Sequence, residues 1–410
     1  MDDLIAKFGS PTRSTEGTLA HRSLEAVRRH LGMDVAYLSE FVGEETVFRE
    51  VDAPGLEDLI KVGDKLPLEQ VYCRHILAGR LPELIPDTSV NEFAASMPIT
   101  ANVPIGSHVS VPIRKANGEI YGMFCCLSPR PQTHLNERDL HIVRAFGSMV
   151  AEEIWRSQAE QQAIEERKRL VRQALDPGAF TIYLQPICAL VGGQPYGYEA
   201  LTRFAIEPRR SPDKWFADAS ACGLGIELES AAIEAALHVF DQIPHPQTMS
   251  FNASPETISS GTLARLLERR PLERLAVEVT EHAAVGDYDK LEAELAPLRA
   301  RGLTLAVDDA GAGFAGLQHI LRLKPDIIKL DMTLIQTIDI DPARRALAAA
   351  MLMFARQTGA VLIAEGVETA DELSTLAQLS LMRAQGYHLG RPLPWQEVLH
   401  LMPNSLQAVI

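Results

Sequence analysis

Glu199, Asn252, Glu278, Asp308, Asp309, Lys329 and Glu365 are the residues of this chain best placed to do chemistry. Each lies at or near the end of a short apolar run: residues 196–201 (YGYEAL), 248–253 (TMSFNA), 275–280 (LAVEVT), 303–309 (LTLAVDD), 326–331 (DIIKLD) and 360–366 (AVLIAEG). Runs of this length read as buried strands. Parallel strands closed into a barrel deliver their ends to one rim, so residues far apart in sequence converge there. Five carboxylates gathered with one ammonium need cations between them. The metal-ligand candidates Glu199, Asn252, Glu278, Asp308, Asp309 and Glu365 offer only oxygen, which suits Mg2+ or Mn2+. Consecutive Asp308 and Asp309 can serve two ions, with one carboxylate bridging. Two such ions activate a water and stabilise the attacking and leaving oxygens of phosphodiester cleavage. Lys329 can orient or deprotonate that water, or neutralise transition-state charge. Arg203 can hold a phosphate through two parallel bonds. A single strand-end carboxylate is more often a solvated cap; joint placement on six successive strands argues for a shared divalent-metal hydrolase site.

The elements that must position these residues follow from the same pattern. Residues 180–187 (FTIYLQPI) and 383–390 (RAQGYHLG) bring the strands to eight. Helical spacing fills residues 227–240, 262–269, 289–301, 343–358 and 371–379. Eight strand units alternating with helices predict a (β/α)8 barrel. Glycines 311, 313 and 316 just past Asp309 fit either a loop that gates the site or an ordinary turn.

The chain before residue 135 is organised differently. Strands are expected at 34–41, 47–51, 108–113 and 120–127, with helices at 18–31 and 68–78. Asn117-Gly118 marks a hairpin between the last two strands, so this part reads as α+β. A long helix is expected over 136–175, capped by Asn136, with Asp139 in its first turn and Asp176-Pro177-Gly178 at its end. Its polar stretch 160–169 fits either a dimer stalk or a solvated linker.

With 410 residues, 46% apolar and 23% charged, the composition describes two globular domains. The start (MDDLIAKFGS) carries no secretory signal, and the apolar stretch at 346–355 is too short to span a bilayer, so a cytoplasmic protein without membrane contact is expected. Five cysteines without CxxC spacing fit a reducing compartment. Adjacent Cys125 and Cys126 alternate across a strand and are expected as core or sheet-face residues. Cys73 and His75 are expected to pack rather than to ligate a chromophore or haem. A net charge of −15 argues against nucleic acid as a partner.

Residues 170–402 resemble the EAL family of cyclic di-GMP phosphodiesterases. The signature stands as Glu199-Ala200-Leu201, followed by Thr202-Arg203. Further matches are Gln185-Pro186-Ile187, Asn252, Glu278-Val279-Thr280-Glu281, Asp308-Asp309, Lys329-Leu330-Asp331, Ala364-Glu365-Gly366-Val367-Glu368 and Gln385-Gly386-Tyr387. The resemblance implies a TIM-like barrel with one strand reversed, and hydrolysis of cyclic di-GMP to linear pGpG with two Mg2+ or Mn2+ ions. It implies that Glu199, Asn252, Glu278 and Asp308 bind one metal, and that Asp308, Asp309 and Glu365 serve the second. By the same resemblance Lys329 engages the attacking water and Gln385 orients the metal–water cluster. Arg203 holds a phosphate, Glu281 anchors the glycine-rich loop, and Gln185 and Asp331 lie beside the substrate. That loop departs from the family's usual DDFGTGYSSL and reads DDAGAGFAGL, with Ala310, Ala312 and Phe314 among the changes.

Residues 15–155 resemble a GAF sensor domain through DVAYLSEF, LAGRLPELIPDT, GSHVSVPI and GEIYGMFCCL. This implies a small-molecule ligand and modulation of the barrel through the connecting helix 136–175; a homodimer is a family expectation. A catalytically silent cyclic di-GMP receptor is the alternative, although no ligand and no lysine is lost here. An unrelated barrel enzyme abstracting protons with metal-bound carboxylates is a third reading, disfavoured by Asn252 and the double aspartate.

Overall fold

The computed structural model describes residues 18–115, 117–280, 285–311 and 320–402. The chain divides into two compact units, with the boundary between Ala163 and Ile164.

The first unit is built on a six-stranded antiparallel sheet. Its strands are β1 (Val35–Val42), β2 (Glu45–Asp52), β3 (Lys65–Pro67), β4 (Leu84–Ile85), β5 (Ser107–Arg114) and β6 (Ile120–Ser128), in the order β3-β2-β1-β6-β5-β4. Central β1 and β6 are almost wholly buried, because both sheet faces are covered. One face packs Ala36, Val111, Phe124 and Cys126 with Leu24 and Val27 of the Leu19–Leu31 helix and with Val143 and Val150. The other packs Tyr37, Met123 and Cys125 with Tyr72, Cys73 and Ile76 of the Tyr72–Leu77 helix. The expected helix over 68–78 is broken: a 3-10 turn (Leu68–Gln70) precedes Val71, whose extended backbone restarts the chain as Tyr72–Leu77. Edge strands β3 and β4 are too short to show an alternation in sequence.

The expected long helix forms as Glu137–Ala174. Asn136 accepts from the Arg138 amide at 3.0 Å, and Asp139 accepts from the Asn136 amide at 2.9 Å, satisfying donors left open at the helix start.

The second unit is the barrel. Its strands are β7 (Phe180–Ala189), β8 (Pro195–Phe204), β9 (Thr248–Asn252), β10 (Leu275–Thr280), β11 (Thr304–Ala310), β12 (Ile327–Leu330), β13 (Val361–Ala364) and β14 (Arg383–Ala384). From β8 to β14 neighbours run parallel, whereas β7 is antiparallel to both β8 and β14 and closes the ring. The barrel with one reversed strand is therefore present. A short strand β15 (Leu393–Pro394) pairs with the outer edge of β7. Five helices fall where the spacing placed them, as Gly225–Phe240, Thr262–Leu266, Tyr288–Ala300, Pro342–Thr358 and Ala370–Gln378. Pro342–Thr358 begins with Asp341 capping the Ala343 and Arg344 amides and ends at left-handed Gly359, the sequence grammar of a helix in isolation.

The helix Pro212–Ala221 was not anticipated. Its core contribution is Trp215 and Ala219, packed with Val171, Ala174 and Leu228. Arg210 lies 3.8 Å over the Trp215 ring, and Asp218 pairs with both Arg210 and Arg167. Fewer than three turns with one buried aromatic leave little periodicity to read.

Candidate active site

The register of the barrel strands explains which side chains meet. Glu199 of β8 sits opposite Gln185 of β7 and Ser250 of β9. Glu278 of β10 pairs with Asn252 of β9, and Thr280 with Asp308 of β11. Strict alternation would send Asp308 and Asp309 to opposite faces. The β11–β12 register slips between Val307 and Ala310, and Asp309 adopts a left-handed backbone with φ 58°. This bulge re-aims the chain so that both aspartates join the rim. Glu365 follows β13 directly and is succeeded by Gly366 at φ 68°, where a Cβ would approach Met332 Cβ to 2.4 Å. Glycine is required there to keep the turn closed. Glu372 reinforces the same turn by accepting from the amides of Glu368 (2.9 Å), Thr369 (3.0 Å) and Thr337 (2.9 Å).

Lys329 is the centre of the site. It is 1% exposed, and its Nζ lies 2.7 Å from Glu278, 2.7 Å from Glu365, 3.3 Å from Glu199 and 3.4 Å from Asp308. Burial alone would push this amine down, but the four carboxylates outweigh it and hold the ammonium well above the ordinary lysine range. One ammonium does not balance four carboxylates. Burial pushes Glu278 up to about 8, with Glu199 and Asp308 adding to the effect against the pull of Lys329. Glu365 is likewise pushed well up, first by burial and then by the neighbouring carboxylates, again against Lys329.

This excess of negative charge fits divalent cations. Oxygens of Glu199, Glu278 and Asp308 lie within 4.8 Å of one another, and so do oxygens of Asp308, Asp309 and Glu365. Two overlapping oxygen sets sharing Asp308 match the ligand preference of Mg2+ or Mn2+. Asn252 donates through its side-chain amide to Glu199 at 3.4 Å, beside the first set. Gln385, buried at the start of the segment after β14, donates to Glu199 at 2.7 Å and to Gln185 at 3.0 Å. Its own Oε1 is buried without a partner among the described residues, an acceptor available to a bound water.

The remaining candidates occupy two adjoining hollows. One, of about 250 Å3, is lined by Gln185, Asp309, Asp331, Glu365 and Tyr387 among others. Asp331 caps the Met332–Ile335 turn through the Thr333 amide at 2.8 Å. The second, of about 410 Å3, is lined by Arg203, Asn252 and Glu278, and also by Asp213, Phe216 and Glu229. Those last three were missed, because nothing in their spacing sets them apart from an ordinary helix surface. Arg203 donates to the Thr202 carbonyl at 2.9 Å and lies 5.8 Å from the Tyr183 ring. Glu281, Ala312 and Phe314 lie outside the described residues.

Fold and site together define an α/β barrel with an acidic rim organised around a buried lysine. Residues 168–392, more than half of the chain, match the EAL domain family, and residues 16–154 match the GAF domain. The chain belongs to the EAL domain family and carries a GAF domain ahead of the barrel. Cyclic di-GMP phosphodiesterase RocR of Pseudomonas aeruginosa is 29% identical over 256 residues, 57% of this chain and 63% of that protein. Cyclic di-GMP phosphodiesterase NbdA of the same organism is 30% identical over 236 residues, 55% of this chain and 30% of that protein. The chain thus spans less than two thirds of the length of these relatives. A solved structure described as the PaMucR phosphodiesterase in complex with c-di-GMP matches with a TM-score of 0.51 and 26% identity, over 57% of this chain and 99% of that one. No helix among the described residues is long and apolar enough to cross a membrane.

Proposed function

We propose that this chain hydrolyses cyclic di-GMP to linear pGpG, using two Mg2+ or Mn2+ ions at the barrel rim. The observation that carries this reading is the convergence of Glu199, Glu278, Asp308 and Glu365 on Lys329, with Asp309 alongside, inside a domain of the EAL family. Glu199, Asn252, Glu278 and Asp308 hold one ion; Asp308, Asp309 and Glu365 hold the other. When bound, the ions supply Lewis-acid activation of water and relief of phosphate charge.

The chain's own groups do the rest. In the reaction a water oxygen bonds to phosphorus and one P–O3′ bond breaks, leaving a 5′-phosphate and a 3′-hydroxyl on pGpG. Lys329, kept charged by its carboxylates, donates to the attacking water and offsets the charge that builds in the transition state. Gln385 fixes Glu199 with its amide and offers its free carbonyl oxygen to the same water. Arg203 binds a phosphate at the mouth of the larger hollow. Gln185 and Asp331 contact the substrate, and Glu281 anchors the glycine-rich loop.

The reading extends to a cytoplasmic homodimer whose GAF domain binds a small molecule and modulates turnover through the Glu137–Ala174 helix. The test is chromatographic. Purified protein is incubated with cyclic di-GMP and Mg2+ or Mn2+, with EDTA as control, and pGpG is followed. Metal-dependent pGpG supports the proposal; tight binding without product assigns the chain to the silent-receptor class instead.

A further inference from the structure

The buried thiols of the first unit carry an inference independent of the barrel. Cys73, on the Tyr72–Leu77 helix, is 1% exposed, and Cys125, on β6, is 0% exposed. Their sulfurs lie 4.0 Å apart. The layer around them is apolar, built from Val35, Ile76 and Met123, yet the polar groups of Tyr37, Ser110 and His108 are turned into it. Ser110, directly opposite Cys125 in the β5–β6 ladder, places its Oγ 3.0 Å from the Cys125 sulfur. His108, 1% exposed, also reaches Cys125, and its Nδ1 has no partner among the described residues. Leaving a buried imidazole nitrogen unsatisfied costs free energy that two simple core fillers would not require.

We propose that Cys73 and Cys125 form an oxidation site that closes to a disulfide when the protein meets a hydroperoxide. Geometry sets the two thiols apart: the Cys125 sulfur has the Ser110 hydroxyl at 3.0 Å, a group able to donate to a thiolate. Burial works to raise the Cys125 thiol, but the contacts with Cys73, His108 and Ser110 outweigh it and bring the thiol down to about 5. The Cys73 thiol is raised well above its usual value by its bond to Cys125 and by burial. A thiolate is the attacking species in such chemistry. With hydrogen peroxide, the Cys125 thiolate attacks one oxygen, the O–O bond breaks, and the leaving hydroxide takes up the proton that the thiol had released and departs as water. The Cys73 sulfur then bonds to sulfenylated Cys125; the S–O bond breaks, and the hydroxyl leaves as a second water with the Cys73 proton. Two thiols lose two electrons, and the peroxide becomes two waters. The sulfurs must approach from 4.0 Å to about 2 Å to bond. Cys126 is the internal control. It is as buried, but it faces the opposite side of the sheet, and burial pushes its thiol up.

The experiment exposes the full chain to hydrogen peroxide under native conditions, blocks free thiols and maps the peptides by mass spectrometry. A dithiothreitol-reversible link between the Cys73 and Cys125 peptides is expected, in protein that keeps its circular dichroism, with Cys126 still reduced. In Cys73→Ala the sulfenic acid should persist on Cys125 and be trapped by dimedone. Wild-type mapping decides the matter by itself if that variant does not fold. No link at peroxide levels that oxidise partly buried Cys222, or a link that appears only in denaturant, overturns the proposal.

Discussion

Lys329 donates to Glu278 at 2.7 Å although their strands, β12 and β10, are separated by β11. The bond crosses the barrel interior at the level where Glu199, Asp308 and Glu365 also arrive. An ammonium in the middle of an otherwise anionic ring is the feature on which both stability and chemistry turn.

Removing that ammonium should therefore be costly. Lys329→Met leaves Glu278, itself 1% exposed, without its buried cation, and breaking a buried ion pair from one side costs about 3–5 kcal/mol. The variant should melt well below the wild type in EDTA, recover part of the loss with Mn2+, and lose turnover in both conditions. An unchanged melting temperature in EDTA would show that Lys329 does not hold the ring together.

The pH dependence of the metal-free chain has a definite sign. Glu278 rises from its ordinary 4.5 to about 8 through burial, and through Glu199 and Asp308 against the pull of Lys329. The folded chain thus binds this proton more tightly than the unfolded chain. The stability contributed by the group is full below the ordinary value and is lost as pH rises through about 8. Relative to Glu278→Gln, wild type in EDTA should lose stability over that window, as read by thermal melts. A wild type that gains stability with pH relative to the variant would contradict the placement.

Glu199 touches Lys329, Gln385 and Asn252 at once. Glu199→Ala should reduce turnover by well over the ~10–100-fold typical of outer metal contacts, with circular dichroism unchanged because the barrel core does not depend on it. Metal-dependent turnover retained in this variant would overturn the site assignment.

Arg203 lines the larger hollow beside Asn252 and Glu278 and donates to the Thr202 carbonyl at 2.9 Å. Losing a charge-assisted phosphate contact should raise KM by about tenfold or more with kcat little changed. Steady-state kinetics of Arg203→Ala check this; an unchanged KM removes Arg203 from the substrate site.

Much of the barrel was legible because strands β10 to β13 are mostly buried and so read as apolar runs. The residues 275–280 form β10 with the bounds the run suggests. The rim residues were legible because each interrupts or ends such a run. Three-dimensional features were not. The bulge that turns Asp308 and Asp309 to the same rim depends on a register slip against β12, which two adjacent aspartates do not announce. The Gln385–Glu199 bond joins residues 186 apart. Strand β14 is only Arg383–Ala384, because Gln385 already leaves the ladder to enter the site. In the first unit, Cys125 and Cys126 were read as alternating sheet residues, and they do face opposite cores. The approach of Cys73 to one of them needed the fold of a helix broken at Val71.

The central claim is that the ring around Lys329 is a two-ion site. Titration of the full chain with Mn2+, followed by electron paramagnetic resonance, tests it most directly. Two Mn2+ per chain with a spin-coupled signal, reduced in Glu199→Ala, are expected. A single isolated Mn2+, or none, would contradict it.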